Sequence, residues 1–145
     1  MLVYLGGPID LAGSKDYRAD LTEALHREGI NAFDPKDAFK MVKLDDRVDA
    51  RRLVEINRQA MLNCTVSVFV MDANVLSVGT SIEIYMAHEA NKRSLVVWLS
   101  GNDKPIPAYI SALVRKNDII CSNSLDSDTI DQVVNKLKSM REFTK

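Results

Sequence analysis

Short apolar runs alternate along this chain with longer segments in which apolar residues recur every three or four positions. The first run, residues 1–5, is stopped by Gly6, Gly7 and Pro8, which predicts a buried strand ending in a turn. Ser14 then predicts a helix cap, with Tyr17, Leu21, Ala24 and Leu25 at helical spacing and Gly29 closing the helix. Residues 30–33 predict a second strand that ends at Asp34 and Pro35. From about Val48 to Leu62 the stripe Leu53, Ile56, Ala60 and Met61 predicts a second amphipathic helix, with Asn57 among its members. The β-branched and aromatic run 65–71 predicts a central strand carrying Asp72 at its carboxyl edge. Ser77 to Lys92 predicts a turn that feeds a third helix through Thr80 and Ser81. Strand four follows over 94–99, a short helix over 108–114, strand five over 118–121, and a last helix capped by Asp126 or Ser127. That helix carries the stripe Ile130, Val133, Val134, Leu137 and Met140.

Strands alternating with helices at this spacing predict a three-layer αβα domain, a flavodoxin- or Rossmann-like α/β fold with a parallel sheet of about five strands. The 145 residues suit one domain spanning the chain, and 46% apolar with 27% charged residues excludes disorder and low complexity. Ligands in such sheets bind outside the carboxyl ends of the strands, here the loops after strands one, three and four. A net charge of -1 offers no field for nucleic acid or an anionic membrane surface. No run approaches the roughly 20 apolar residues of a membrane span, and Gly6-Gly-Pro8 comes too early for a signal peptide. Cys64 and Cys121, each in an apolar run, read as small core residues of a reducing compartment, which makes a cytoplasmic setting the expectation. The charge-rich stretch from Lys40 to Arg52 reads as a loop entering a helix.

The chain lacks dinucleotide, P-loop and hydrolase-elbow motifs, and no Cys or His pair stands at metal-ligand spacing. Neither a metal nor a cofactor is therefore expected, and His26 and His88 read as surface or packing residues of helices. The segment Ser77 to Glu83 gathers hydroxyls and free backbone N–H groups at a helix N-terminus on the sheet's carboxyl edge, a place that suits a phosphate. Gly79 allows close approach, and Ser77 and Thr80 add hydroxyl donors; the same residues also fit a plain capping box of Thr80 with Glu83. Glu83 falls in the first turn on this reading, and a carboxylate there suits nucleophilic attack at a sugar's anomeric carbon. Asn57 either reaches the pocket or is a buried amide satisfied by backbone; Tyr4 either fills the core or orients Glu83.

Four segments, Tyr4-Leu-Gly-Gly-Pro-Ile9, Phe33-Asp-Pro35, Glu55-Ile-Asn57 and Ser77 to Ile84 with Ala87 beyond, occur in an order that resembles the nucleoside 2-deoxyribosyltransferase superfamily over nearly the whole chain. The resemblance implies that Glu83 is the nucleophile attacking C1′ and that Tyr4 holds it. Transferases acting on free nucleosides carry an acidic residue six positions before the nucleophile, where this chain has Ser77. That is similar to the nucleoside 5′-monophosphate N-glycosidase branch, cytidylate hydrolases included, where the serine binds the 5′-phosphate. The same branch implies a phosphate or sugar site at Gly7, Pro8 and Ile9, with backbone N–H groups from Gly7 and Ile9, and Ser111 reaching the phosphate from a neighbouring subunit. A homodimer or higher homo-oligomer sharing its active sites follows from that resemblance. Asp10 stands where some relatives have a basic phosphate ligand, and Asn57 stands where the family commonly has Asp. Since Asn transfers no proton, either another acid such as Asp72 or Asp10 assists, or the leaving group is activated differently, or catalysis is slow. Three functional readings stay open: hydrolysis of a nucleoside monophosphate, deoxyribosyl transfer between bases, and a non-catalytic nucleotide sensor; a structural domain with an accidental motif is the fourth.

Overall fold

A computed structural model describes residues 1–8, 17–39, 47–75, 77–101 and 103–142. Five strands, β1 (Leu2–Gly6), β2 (Asn31–Phe33), β3 (Val66–Asp72), β4 (Arg93–Leu99) and β5 (Ile119–Ser122), form one all-parallel sheet in the order β2-β1-β3-β4-β5. The helices are α1 (Tyr17–Arg27), α2 (Lys36–Phe39), α3 (Arg47–Asn63), α4 (Val78–Glu89), α5 (Ala108–Leu113) and α6 (Ser127–Glu142). The α/β three-layer expectation is met. The four-residue α2 and a 3₁₀ turn over Lys116–Asp118 are additions, too short for a periodic signal.

Strand parity divides the core into two layers. Val3 and Leu5, Val66, Val68 and Val70, and Leu95, Val97 and Leu99 face α1 and α6, meeting Leu21, Leu25, Val133 and Leu137. Tyr4, Phe69, Met71, Val96 and Trp98 face the other side, meeting Met61, Ile84, Ala87 and Ile110. On α3 the buried stripe runs Leu53, Asn57, Met61, so Ile56, expected on it, lies 37% exposed instead. Cys64 is buried, but Cys121 is exposed: β5 is an edge strand, and the apolar run around Cys121 is only partly covered.

The chain's helix-stopping signals act as read. Gly29, at φ +71°, ends α1 with paired bonds from Gly29 N–H to the His26 carbonyl and Ile30 N–H to the Leu25 carbonyl, both 3.0 Å. Asn91, at φ +54°, ends α4 in the same manner. Asp126 rather than Ser127 caps α6, its Oδ1 accepting the Thr129 N–H at 2.9 Å. Beneath the far edge, the buried Asp118 accepts two bonds from Arg93, each 3.0 Å, and pairs with Lys136 at 3.4 Å. No helix among the described residues is long and apolar enough to cross a membrane.

Candidate active site

The chain leaves β1 in one direction to β2 and in the other to β3, so the crevice between the carboxyl ends of β1 and β3 is this sheet's topological switch point. Parity turns Tyr4 toward the α3/α4 layer, stacked on Phe33 (centroids 5.9 Å, 12°) and tilted against Phe69 (6.2 Å). At Gly6, a Cβ would run into the Phe69 ring and would sit 3.5 Å from Glu83 Oε2. The bare backbone of Gly6 thus makes room for the Phe69 ring, and the Glu83 carboxylate lies beside it at the end of β1.

Glu83 lies in the second turn of α4, not the first. Ser77, three positions ahead of Thr80, is the N-cap and Val78 the first helical residue, so the capping-box alternative fails along with the first-turn placement. Inward direction, rather than the helix dipole, defines the acid. Glu83 Oε2 and the Tyr4 hydroxyl are both buried, and neither has a well-formed hydrogen bond among the described residues. They nevertheless act on each other. Burial first, then the Glu83 charge, holds the Tyr4 hydroxyl well above the ordinary phenol range. Burial raises the Glu83 carboxyl above its usual value of 4.5, and the Tyr4 hydroxyl and the Arg18 guanidinium oppose that rise.

Glu83 opens onto a cavity of about 200 Å³ between α3 and α4, walled by Leu53, Val54, Met61, Ile82 and Met86. Asn57 lines it too, and its Oδ1 is a third buried acceptor without a partner, so the alternative of an amide satisfied by backbone does not hold. Gly79 lines the same space, with nothing within 4 Å of where a Cβ would be. Three groups singled out from sequence, Glu83, Tyr4 and Asn57, therefore gather on one side of the sheet with unsatisfied polar atoms.

At the start of α4 the Ser77 hydroxyl does not cap the helix but meets Thr80 Oγ1 at 2.5 Å. Among the described residues the Ser77 side chain makes no capping bond to the first backbone N–H groups of α4, while Thr80 itself is buried. Gly7, at φ +148°, begins the loop after β1, and Pro8 is buried behind it. Ile9 and Asp10 fall outside the described residues, as does Ser14. Asp72 ends β3 and accepts the Asn74 N–H at 2.8 Å; it does not line the Glu83 cavity. Ser111 is exposed on α5, bonded to the Ala108 carbonyl at 2.8 Å, and is not brought to the Glu83 cavity of its own chain. His26 and His88 are exposed helix residues. No group of three or more His, Cys, Asp or Glu suited to a metal is gathered among the described residues.

Arg18 escaped the sequence reading. It is 4% exposed, donating from Nε to the Tyr17 hydroxyl at 3.0 Å, from Nη1 to Asp34 Oδ1 at 3.1 Å, and from Nη2 to the carbonyls of Gly7 and of Pro8, the latter at 3.2 Å. The signal was its position three and seven residues before Leu21 and Leu25, a charge on the buried stripe of α1.

The model of the family described as nucleoside 2-deoxyribosyltransferase like matches residues 1–101. No curated protein sequence matches the chain. Among solved structures, a 2-deoxyribosyltransferase from Bacillus psychrosaccharolyticus superposes with a TM-score of 0.70 at 13% identity, covering 90% of this chain and 96% of that one. A conserved protein from Enterococcus faecalis V583 gives 0.67 at 16% identity, over 93% and 98%. A CMP N-glycosidase from Clostridium botulinum gives 0.62 at 19% identity, over 92% and 98%.

Proposed function

Because the chain belongs to the nucleoside 2-deoxyribosyltransferase-like family, we propose that it is an enzyme that hydrolyses the N-glycosidic bond of a (deoxy)ribonucleoside 5′-monophosphate. The observation that carries the reading is the buried, unpartnered Glu83 Oε2, set against Gly6 and Tyr4 and open to a cavity shared with Asn57. Glu83 attacks C1′ through this oxygen; the C1′–N bond breaks, the base departs with the bonding pair, and a glycosyl ester forms. Water then attacks C1′ and loses a proton, the ester C–O bond opens, and (deoxy)ribose 5-phosphate leaves. Tyr4 holds the carboxylate, and the Asn57 amide orients the sugar or base. The departing base needs a proton that the Asn57 amide cannot give; Asp72 lies outside the Glu83 cavity, so Asp10 is assigned to supply it.

Ser77 supports the nucleotide substrate. A hydroxyl at an uncapped helix N-terminus donates to a phosphate dianion, where the acidic residue of nucleoside transferases would repel it. From Ser77 to Glu83 is roughly 9 Å along α4, about the reach from a bound 5′-phosphate to C1′ with contact distances included. Gly7 and Pro8, with Ile9 next in sequence, are assigned to the phosphate or sugar site, together with Gly79 and Thr80.

The test is free-base release from a panel of ribo- and deoxyribonucleoside 5′-monophosphates and the matching nucleosides, with and without acceptor base. Release from monophosphates without acceptor is the expected result. Activity only on nucleosides with an acceptor replaces this reading by the transferase, and binding without release replaces it by a nucleotide sensor.

The working unit in this proposal is a homodimer or larger homo-oligomer in which Ser111 completes a neighbour's phosphate site. Its support is α4, apolar on two faces: Thr80, Ile84 and Ala87 are buried in the chain, while Val78, Ile82 and Tyr85 stand 61%, 54% and 53% exposed on the other side. Sedimentation is expected to give a species of at least two chains, and Tyr85→Asp to shift it to one chain with weakened phosphate binding. A wild-type protein that sediments as one chain at assay concentration overturns the shared site.

A further inference from the structure

Glu83 buries its Oε2, and a cation from another element, Arg18 of α1, acts on its charge. One edge of the Arg18 guanidinium pairs with Asp34, whose side chain is 20% exposed, and the rest meets the neutral oxygens of Tyr17, Gly7 and Pro8. The two carbonyls it takes belong to the residues that follow Gly6, and Gly6 is the residue Glu83 Oε2 rests against. Tyr17 reinforces the clamp, its hydroxyl donating to the Pro8 carbonyl at 2.5 Å. A clamp made only for packing would not require a full positive charge under the end of β1, because burying one is costly.

We infer that Arg18 is a positioning residue for Glu83, fixing the Gly6–Pro8 backbone under the carboxylate and supplying the buried positive charge that favours its ionised form. The claim about ionisation stands by itself; its consequence for base release rests on the function proposed above. Among the described residues, Tyr4 of β1 and Arg18 of α1 act on the Glu83 charge. Arg18 reaches the end of β1 while paired with Asp34, and Arg58 of α3 lines the cavity, half-exposed and paired with Glu55 at 3.4 Å. Arg18 also draws the carboxyl downward against the rise that burial imposes.

The experiment follows the Glu83 carboxyl directly, by carbon NMR of protein labelled at the glutamate carboxyl, with the signal identified by its loss in Glu83→Gln. In Arg18→Gln the Glu83 titration is expected to move up, and Arg18→Lys to recover most of the shift. Asp34→Asn keeps an oxygen for its backbone contact and strips Arg18 of its counter-charge, so Glu83 is expected to titrate lower. These opposite signs separate charge from general loosening, which would move both variants the same way. An unchanged titration in Arg18→Gln, or an upward move in Asp34→Asn, overturns the inference; should Arg18→Gln fail to fold, the direction seen in Asp34→Asn decides. Turnover plays no part in the readout, so a wild-type protein that releases no base would remove the proposed function and leave this result standing. Where base release is seen, the acid limb of its pH profile should follow the same shifts.

Discussion

Glu83→Gln is expected to lower base release by on the order of 10³-fold or more and, in the same protein, to raise the melting temperature at neutral pH. The first effect follows from the loss of the attacking oxygen: an amide of the same shape fills the site but forms no glycosyl ester. Nucleotide binding should survive, since Ser77 and the start of α4 are untouched. The second effect follows from burial. The folded-state pKa of Glu83 lies above its unfolded value of 4.5, with desolvation as the leading cause, so the stability this group contributes is complete below pH 4.5 and is lost as pH rises through the folded value. Above that value the wild type carries a buried charge that the amide variant lacks. The Gln –NH₂ also brings a donor into a cavity where Asn57 Oδ1 has no partner. Thermal melts of both proteins from acid to neutral pH therefore diverge upward in pH, with the variant the more stable. Base release within tenfold of wild type would remove Glu83 from the nucleophile's role; equal melts at pH 7 would mean that its carboxylate is better solvated than its burial implies.

Gly7→Ala is the substitution expected to cost most in stability. At φ +148° the backbone of residue 7 is in a region that side chains rarely enter, and an added Cβ would stand 2.6 Å from the Tyr17 hydroxyl and 2.9 Å from the Val70 carbonyl. The first neighbour is fixed by its bond to Pro8 and by Arg18, and the second is main chain inside the central strand. Backbone strain and overpacking together amount to about 2–5 kcal/mol, a fall in melting temperature of roughly 5–15 °C. Gly79→Ala provides the contrast: its Cβ meets nothing within 4 Å and its backbone is helical, so it should melt with the wild type or slightly above. A Gly7→Ala protein that also melts with the wild type would contradict the packing described for the β1 loop.

The sheet and its helices were legible because their signals are local. β3 and β4 are apolar on both faces, and α6 repeats its stripe for four turns. What depends on contacts distant in sequence was not legible. The start of α4 was displaced by three residues because Thr80 and Ser77 both look like caps, and only the fold chooses between them; that displacement moved Glu83 into the wrong turn. Ile56 fits the helical stripe as well as Asn57 does, yet rotation of α3 against the sheet buries the amide. Arg18 carried a readable anomaly, a charge on an apolar stripe, but its acceptors are carbonyls of Gly7 and Pro8, and main-chain acceptors have no sequence signature. That Glu83, Tyr4 and Asn57 lie together was legible through motif order, whereas Ser111 and Asp72 stand apart from their cavity in the single chain.

The order of the strands also dictates when the site can come into being. Val3 of β1 pairs with Val66 of β3, 63 positions later, and Glu83 comes later still. A ribosome adding about 5–20 residues per second therefore leaves the apolar β1 waiting several seconds, with only the three-residue β2 for company on its other edge. Tyr4 and Glu83 meet only once the centre of the sheet has closed, so any delay in pairing β1 with β3 is a delay in acquiring the acid's environment.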